Sequence, residues 1–385
     1  MITTNKEFST RRLKVGIIDD GISPAFFYNT NGHTTSHYKV KHNRVVEYVP
    51  VEKITHGTIC ASIFSEYSAN CNIVDICVFK DNDDKGEEIQ DEIITALDWC
   101  GNNGIDIISM SVGTLTDFEL DKIKKTITNL LKRNILIVAA CNNTNKVTFP
   151  ASLHEVIGVR HSNIVNDGLF YYVPAPFDGI EVQASLPYNC QSINLFCESF
   201  DWDMTPNSWV TPYIASQLTK ILPPFLLSKV RLYLVENYRF PKYLQQLYRE
   251  LFKPYKKIEV PVLCFLDSTS WFISKVIKIL STKGYKCLQF SYKSNIINKI
   301  IPLNFIDEYK ITIRDLVCIG NASFSPDLLI LSLESTEYHI DNLPQVDLFI
   351  CPINKKKKLL KSSNVLTYLK FNYIKTAYEI INILS

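Results

Sequence analysis

Three short stretches of this chain place reactive side chains where a fold could use them. In Pro206-Asn207-Ser208-Trp209-Val210-Thr211-Pro212 a hydroxyl stands just ahead of an apolar run, with Val210, Ile214 and Leu218 on one helical face. A serine at a helix start lies among unpaired backbone N–H groups at the positive end of the macrodipole, a good place to stabilise an oxyanion. It is equally the place of an ordinary cap. Pro212 is expected to be harmless if it falls in the first turn, where no N–H is needed. Upstream, Thr55-His56-Gly57-Thr58-Ile59-Cys60-Ala61 reads as another helix start, with an imidazole in the first turn and a glycine that admits close approach. Further upstream, Leu13-Lys14-Val15-Gly16-Ile17-Ile18 is a buried-strand pattern ending in Asp19-Asp20-Gly21. Open α/β sheets carry their chemistry at the carboxyl ends of strands. Either aspartate could be reactive there, and either could simply cap the turn.

The elements that would position these groups follow by periodicity. Strands are expected at 72–80, 105–113, 135–140 and 155–159, with amphipathic helices over 86–101 and 118–133 between them. Alternating strands and helices predict an α/β fold with a doubly wound, parallel sheet. The polar stretch 29–43 holds His33, His37 and His42 without accompanying cysteines or paired carboxylates. It reads as a surface loop rather than a metal site.

The totals set outer limits. The 385 residues suffice for two domains, and 46% hydrophobic with 21% charged residues is a folded composition. A net charge of +2 argues against nucleic acid or an anionic membrane as partner. No apolar run reaches membrane-spanning length, and residues 1–12 carry no signal-like segment. The 11 cysteines are odd in number and scattered without metal-type spacing, which points to free thiols in a reducing, cytoplasmic interior. The acidic run at 81–84 lacks the rest of a calcium loop, so no metal is expected there.

Taken together, the motifs resemble those of the subtilisin-like serine peptidases, the subtilases, over about residues 10–235. Val15–Gly21 matches the aspartate motif, His56-Gly57-Thr58 the histidine motif and Ser208-Trp209-Val210-Thr211-Pro212 the serine motif, in the order Asp, His, Ser. Ile108–Gly113 matches the substrate strand, Val138–Asn142 the strand that ends in an oxyanion asparagine, and 149–159 the Phe-Pro-Ala stretch with its following strand. The resemblance implies that Ser208 attacks the peptide carbonyl, His56 takes its proton, and Asp19 holds the imidazole. Asn142 and the Ser208 N–H would bind the oxyanion, and no cofactor is implied. Asn143 is the nearest competitor, but the register of Ala139-Ala140 favours Asn142. Ser109, Met110, Ser111, Val112 and Gly113 would offer a strand edge to an extended peptide or protein substrate, with Ala140 walling the pocket. Asp20 reads as a turn residue.

The departures are local. Pro206-Asn207 replaces the family's Gly-Thr before the serine, and Cys141 replaces a glycine before the asparagine. The loops are therefore expected to be reshaped, which favours either a narrow substrate range or, alternatively, a pseudoprotease that binds peptides without cutting. With no propeptide in view, the expected enzyme is a dedicated intracellular processing peptidase, such as one that trims the leader from a ribosomally made, modified peptide.

The subtilase likeness ends near residue 235. The sequence divides into a peptidase domain at 1–235, a basic-aromatic helical linker at 236–257 and a smaller Rossmann-like α/β domain at 258–385. In the last, strands are expected at 259–266, 287–292, 316–319, 328–333 and 348–352, and a helix at 271–283. The loop at 266–271 lacks phosphate-binding glycines, so no nucleotide is expected. This domain is expected to dock a substrate or to pair two copies as a homodimer.

Overall fold

The computed structural model describes residues 12–69, 71–79, 89–115, 120–143, 146–173, 176, 178–196, 206–221, 223–241, 258, 260–291, 300–303, 312–334, 343–352, 365–368 and 372–384. The chain forms two compact units, Met1–Pro241 and Lys242–Ser385. The expected features at 81–84, at 242–257 and in the four-lysine run at 355–358 lie outside the described residues.

The first unit is built on a nine-stranded sheet. Its strands are β1 (Lys14–Asp19), β2 (Thr34–Lys41), β3 (Arg44–Glu47), β4 (Asn72–Cys77), β5 (Ile107–Met110), β6 (Leu136–Ala140), β7 (Ile157–His161), β8 (Phe170–Tyr172) and β9 (Val182–Ala184). They lie in the order β3-β2-β4-β1-β5-β6-β7-β9-β8, parallel except for the β2–β3 and β8–β9 pairs at the two edges. Buried central strands read as continuous apolar runs because both faces are covered. In β1, Val15 and Ile17 enter one core and Ile18 the other, as the two-residue period of a strand requires.

Helices α1 (His56–Tyr67), α4 (Gln191–Phe196), α5 (Asn207–Leu218) and α6 (Leu227–Tyr238) contribute to the first core, through Ile59, Phe64, Phe196, Val210, Ile214 and Leu234. Helices α2 (Ile89–Asn102) and α3 (Leu120–Lys132) supply Ile93, Leu97, Ile123 and Ile127 to the opposite core. The doubly wound architecture is as expected. The polar stretch is not the expected loop: Thr34–Lys41 pairs with β4 in parallel and with β3 in antiparallel fashion. A strand near the sheet edge that is only half-buried keeps polar residues, so its hydrophobic signal is weak.

Helix α6 is anchored by a buried ion pair. Arg231 meets Glu181 at 2.8 Å, and its guanidinium also reaches the His154 carbonyl. Burial drives the Glu181 carboxyl from 4.5 up to about 7, against the pull of Arg231. A carboxyl raised on folding contributes stability that is complete below its unfolded pKa and is lost as pH rises through its folded value. The urea midpoint of the protein is therefore expected to fall between about pH 5 and 7, and Glu181→Gln to flatten that slope. An unchanged slope in the variant would show that Glu181 does not titrate in this window. After α6, Phe240 donates its N–H to Tyr172 O at 2.8 Å and is buried, so the first unit continues past residue 235 to Pro241.

The second unit holds a six-stranded parallel sheet: β10 (Val262–Leu266), β11 (Cys287–Ser291), β12 (Ile300–Pro302), β13 (Leu328–Leu333), β14 (Leu348–Pro352) and β15 (Val365–Tyr368). The order is β12-β11-β13-β10-β14-β15, so β13 separates β10 from β11, unlike the dinucleotide-binding arrangement. Helix α7 (Ser270–Thr282) and helix α9 (Tyr373–Leu384) cover one face through Phe272, Val276, Leu280, Ala377 and Ile380. The expected strand at 316–319 is instead part of helix α8 (Ile313–Phe324). A Thr312–Asp315 capping box starts that helix and overrides the β-like run Leu316-Val317-Cys318-Ile319. Among the described residues, no helix is long and apolar enough to cross a membrane.

Candidate active site

Strand β1 delivers Asp19 at its carboxyl end, 2% exposed. The chain then turns back so that the start of α1 sits over that end. Gly57 makes the approach feasible: a Cβ there would lie 2.6 Å from the Gly21 carbonyl oxygen and 3.1 Å from Asp19 Cβ. Thr55 caps the helix by accepting the Thr58 N–H. Asp20 completes the cap, its two carboxylate oxygens accepting the N–H groups of His56 at 3.2 Å and Gly57 at 2.7 Å. Burial first, then the Asp19 charge, raise the Asp20 pKa. Asp20 is thus more than a turn residue: it fixes the backbone that carries His56. Only its position beside Asp19 hinted at this.

His56 bridges the other two groups. Its Nδ1 lies 2.9 Å and 3.0 Å from the two Asp19 oxygens, and its Nε2 lies 2.8 Å from Ser208 Oγ. With Asp19 ionised, Nδ1 carries the proton and Nε2 accepts the serine hydroxyl. Burial of the ring disfavours imidazolium, but Cys60 and Asp19 outweigh it and raise the His56 pKa. Complete burial pushes the Cys60 thiol up as well, so it is neutral in the working range and Asp19 is the lasting source of the elevation.

Ser208 is the second residue of α5, with Pro206 at the N-cap and no side-chain cap. Pro212 is therefore the sixth helical residue, beyond the first turn in which its missing N–H would cost nothing. The carbonyl it leaves without a helical partner is that of Ser208. Ser111 Oγ donates to that oxygen at 3.2 Å and Cys60 Sγ at 3.5 Å, so the deficit becomes a clamp on the serine residue.

Asn207, standing where the family has threonine, forms a brace that no local sequence pattern signals. Its N–H donates to Asn143 Oδ1 at 3.0 Å, its Nδ2 to the Asn142 carbonyl at 3.0 Å, and its Oδ1 accepts the His161 N–H at 2.7 Å. The start of α5 is thereby pinned to the ends of β6 and β7. Asn143 spends its side-chain oxygen on this brace, while the Asn142 N–H donates to Thr148 Oγ1 at 2.9 Å. Asn207→Ala is expected to cost about 2–4 kcal/mol, since two polar backbone groups lose their partner. Urea unfolding measures this, and a loss under half a kcal/mol would remove the brace from the account.

Ser109 and Met110 do not form an edge. They lie inside β5, which pairs with β1 on one side and β6 on the other, and both side chains are buried. Only the segment beyond β5 is open: Ser111 is half-buried, Val112 is buried and Gly113 is exposed. A Cβ on Gly113 would lie 2.7 Å from Thr148 and 2.8 Å from the Phe149 carbonyl oxygen, so glycine is required by the Thr114–Phe149 bridge beside it. Ala140 ends β6 and is buried.

The model of the subtilase family matches residues 10–218 of this chain. The chain belongs to the subtilase family. Among characterised relatives, the minor extracellular protease Epr of Bacillus subtilis strain 168 is 26% identical over 171 residues, 40% of this chain and only 24% of Epr. Subtilisin DY of Bacillus licheniformis is 24% identical over 246 residues, 57% of this chain and 81% of that protein. Among solved structures, the prenylagaramide maturation protease PagA is similar at 20% identity, TM-score 0.38, over 62% of this chain and 82% of PagA. The epidermin leader peptide processing serine protease EpiP of Staphylococcus aureus is similar at 16% identity, TM-score 0.37, over 54% of this chain and 64% of EpiP.

In this subtilase a thiol underlies the histidine. Cys60 Sγ is 3.7 Å from His56 Nδ1 and 3.5 Å from Ser111 Oγ. Asp19, His56 and Cys60 bring three ligand-type atoms within 4.8 Å, and all three take part in the hydrogen bonds already described. His33, His37 and His42 form no such group among the described residues: His33 accepts the Cys71 N–H, and His37 bonds to Asp75. Among the described residues of this subtilase, ten cysteines are buried free thiols.

Proposed function

We propose that this subtilase is a serine endopeptidase acting through an acyl-enzyme, with Ser208 as nucleophile, His56 as general base and then acid, and Asp19 as the group that holds the imidazole. One observation carries the reading: His56 spans Asp19 and Ser208 with both ring nitrogens at hydrogen-bond distance. The oxyanion would be bound by the Asn142 side-chain amide and the Ser208 N–H. Removal of one such donor in a subtilisin costs roughly 100- to 1000-fold in turnover. The Asn207 brace supports assigning that role to Asn142, because it engages Asn143 elsewhere.

The finer reading is a cytoplasmic processing peptidase for a defined precursor, such as a leader-bearing modified peptide, bound extended along 111–113. The reshaped serine loop, with Pro206 and Asn207, supports a restricted substrate. The second unit would dock that substrate or pair two copies. A fluorophosphonate probe tests the chemistry, since it reacts with an activated serine. Labelling of wild type but not of Ser208→Ala or His56→Ala is the expected result. A folded but unlabelled wild type would overturn it and leave a peptide-binding scaffold. Equal cleavage of casein and of leader-bearing precursors would overturn the processing role.

A further inference from the structure

We infer that Asp75 is a positioning residue: gathered with Tyr48 and His37 beneath the turn that follows β1, it holds Asp19 in the geometry that orients His56. The inference deepens the peptidase reading and rests on it for the chemistry that this geometry serves.

Asp75 stands in β4 between Val74 and Ile76, opposite Ile17 of β1 and His37 of β2, and is fully buried. A carboxylate is costly to take out of water unless it is hydrogen-bonded. Apolar residues in place of buried ionic groups are often no less stable. The pairing of β4 with its neighbours is made by the backbone and needs no carboxylate at this position. What Asp75 holds in place therefore accounts for it better than stability does.

Three segments converge on one of its oxygens. Asp75 Oδ2 accepts the Ile22 N–H at 3.0 Å and the Tyr48 hydroxyl at 2.8 Å, and it lies 2.9 Å from His37 Nδ1. Oδ1 has no hydrogen-bond partner among the described residues. The Tyr48 N–H also donates to the His37 carbonyl, at 3.3 Å. Tyr48 Oη sits against Gly21, where an added Cβ would come within 2.5 Å of it. Asp75 and Tyr48 thus form a floor under the turn.

That turn carries Asp19, the last residue of β1. From the helix side, Thr55 Oγ1 donates to the Gly21 carbonyl at 2.5 Å and Thr58 Oγ1 accepts the Ser23 N–H at 2.8 Å. From the sheet side, Asp75 takes the Ile22 N–H. Within the turn, the Asp20 N–H donates at 2.9 Å to Asp19 Oδ1, the same oxygen that lies 2.9 Å from His56 Nδ1. A shift of the turn backbone is therefore passed to the oxygen that faces the imidazole. Reaction rates are steep in such displacements, since a misplacement of about 1 Å can cost roughly a hundredfold.

The convergence on Oδ2 supplies the test. Asp75→Asn removes the charge but keeps the acceptor, with its NH2 in place of the unpartnered Oδ1. Tyr48→Phe keeps the charge and removes one contact together with the hydroxyl over Gly21. Asp75→Ala removes both charge and acceptor. NMR titration of the full-length, histidine-labelled protein follows the His56 ring, whose pKa is raised by a carboxylate held against it. Asp75→Ala is expected to lower that pKa by about one unit and to slow fluorophosphonate labelling about tenfold. Tyr48→Phe should lower it by a smaller amount, and Asp75→Asn should restore both the pKa and the labelling rate. If Asp75→Ala does not fold, the other two variants decide. A pKa that moves in Asp75→Asn would mean that Asp75 acts through its charge, and one unmoved in Tyr48→Phe would leave the cluster merely structural. Either result overturns the inference. Labelling of wild type separates the two claims, because the titration needs no turnover. A labelled enzyme without the expected pattern keeps the peptidase and loses the positioning role; the pattern without labelling keeps the positioning role and loses the peptidase.

Discussion

Replacing Ser208 or His56 by alanine is expected to lower hydrolysis of a cleavable peptide by roughly a million-fold in turnover, the loss found for the matching residues of a subtilisin. The physical reason is that neither group works alone. The Ser208 hydroxyl is inert without the imidazole at 2.8 Å, and the imidazole has no proton to take without the hydroxyl. The double variant should accordingly be no slower than either single one, because the second substitution removes a partner already idle. The Ser208 variant should fold: Ser208 Oγ bonds only to His56 among the described residues, and the Ser111 and Cys60 contacts reach the Ser208 backbone carbonyl, which alanine retains. Single-turnover kinetics on an internally quenched peptide measure the effect. Losses that multiply in the double variant would mean that the two residues act independently, and the proposed relay would fall.

Asp19→Asn is expected to cost about ten thousand-fold in kcat/KM, since an amide facing His56 Nδ1 favours the wrong tautomer. It should also move the pH profile, and the sign is determinate. Activity requires neutral His56, so kcat/KM rises with pH through the His56 pKa. The Asp19 carboxylate stabilises imidazolium and raises that pKa against burial. Removing the charge therefore shifts the acid limb to lower pH while the plateau falls. A general loss of structure would lower the plateau without that shift. A profile whose acid limb stays in place in Asp19→Asn would show that the limb reports another group.

The site owes its firmness to contacts that link residues far apart in the chain. Asp20 fixes the first turn of α1, Asn207 fixes the first turn of α5 to the strand ends, and Ser111 with Cys60 holds the carbonyl that Pro212 leaves open. Each compensates for a local peculiarity, and together they keep the serine loop ordered despite its departure from Gly-Thr.

Much of this protein was determined by local sequence. The apolar run into Asp19-Asp20-Gly21, the imidazole opening a small-residue helix and the serine ahead of an apolar stripe define element type, polarity and chain order, because strand and helix periods and helix-start chemistry are local properties. The parallel sheet of the first unit and the family follow from them. Other features were decided only in three dimensions. Ser109 and Met110 look like substrate-strand residues until β1 and β6 are seen on either side of β5, since pairing is a property of neighbours and not of the strand itself. The polar residues of β2 conceal a strand because a half-buried position tolerates them, and Leu316–Ile319 conceals a helix because the Thr312 cap four residues before Leu316 outweighs β-propensity. The Asn207 brace and the Asp75–Tyr48 floor join positions 27 to 65 residues apart, and no local pattern encodes a hydrogen bond that exists only once the chain has closed on itself.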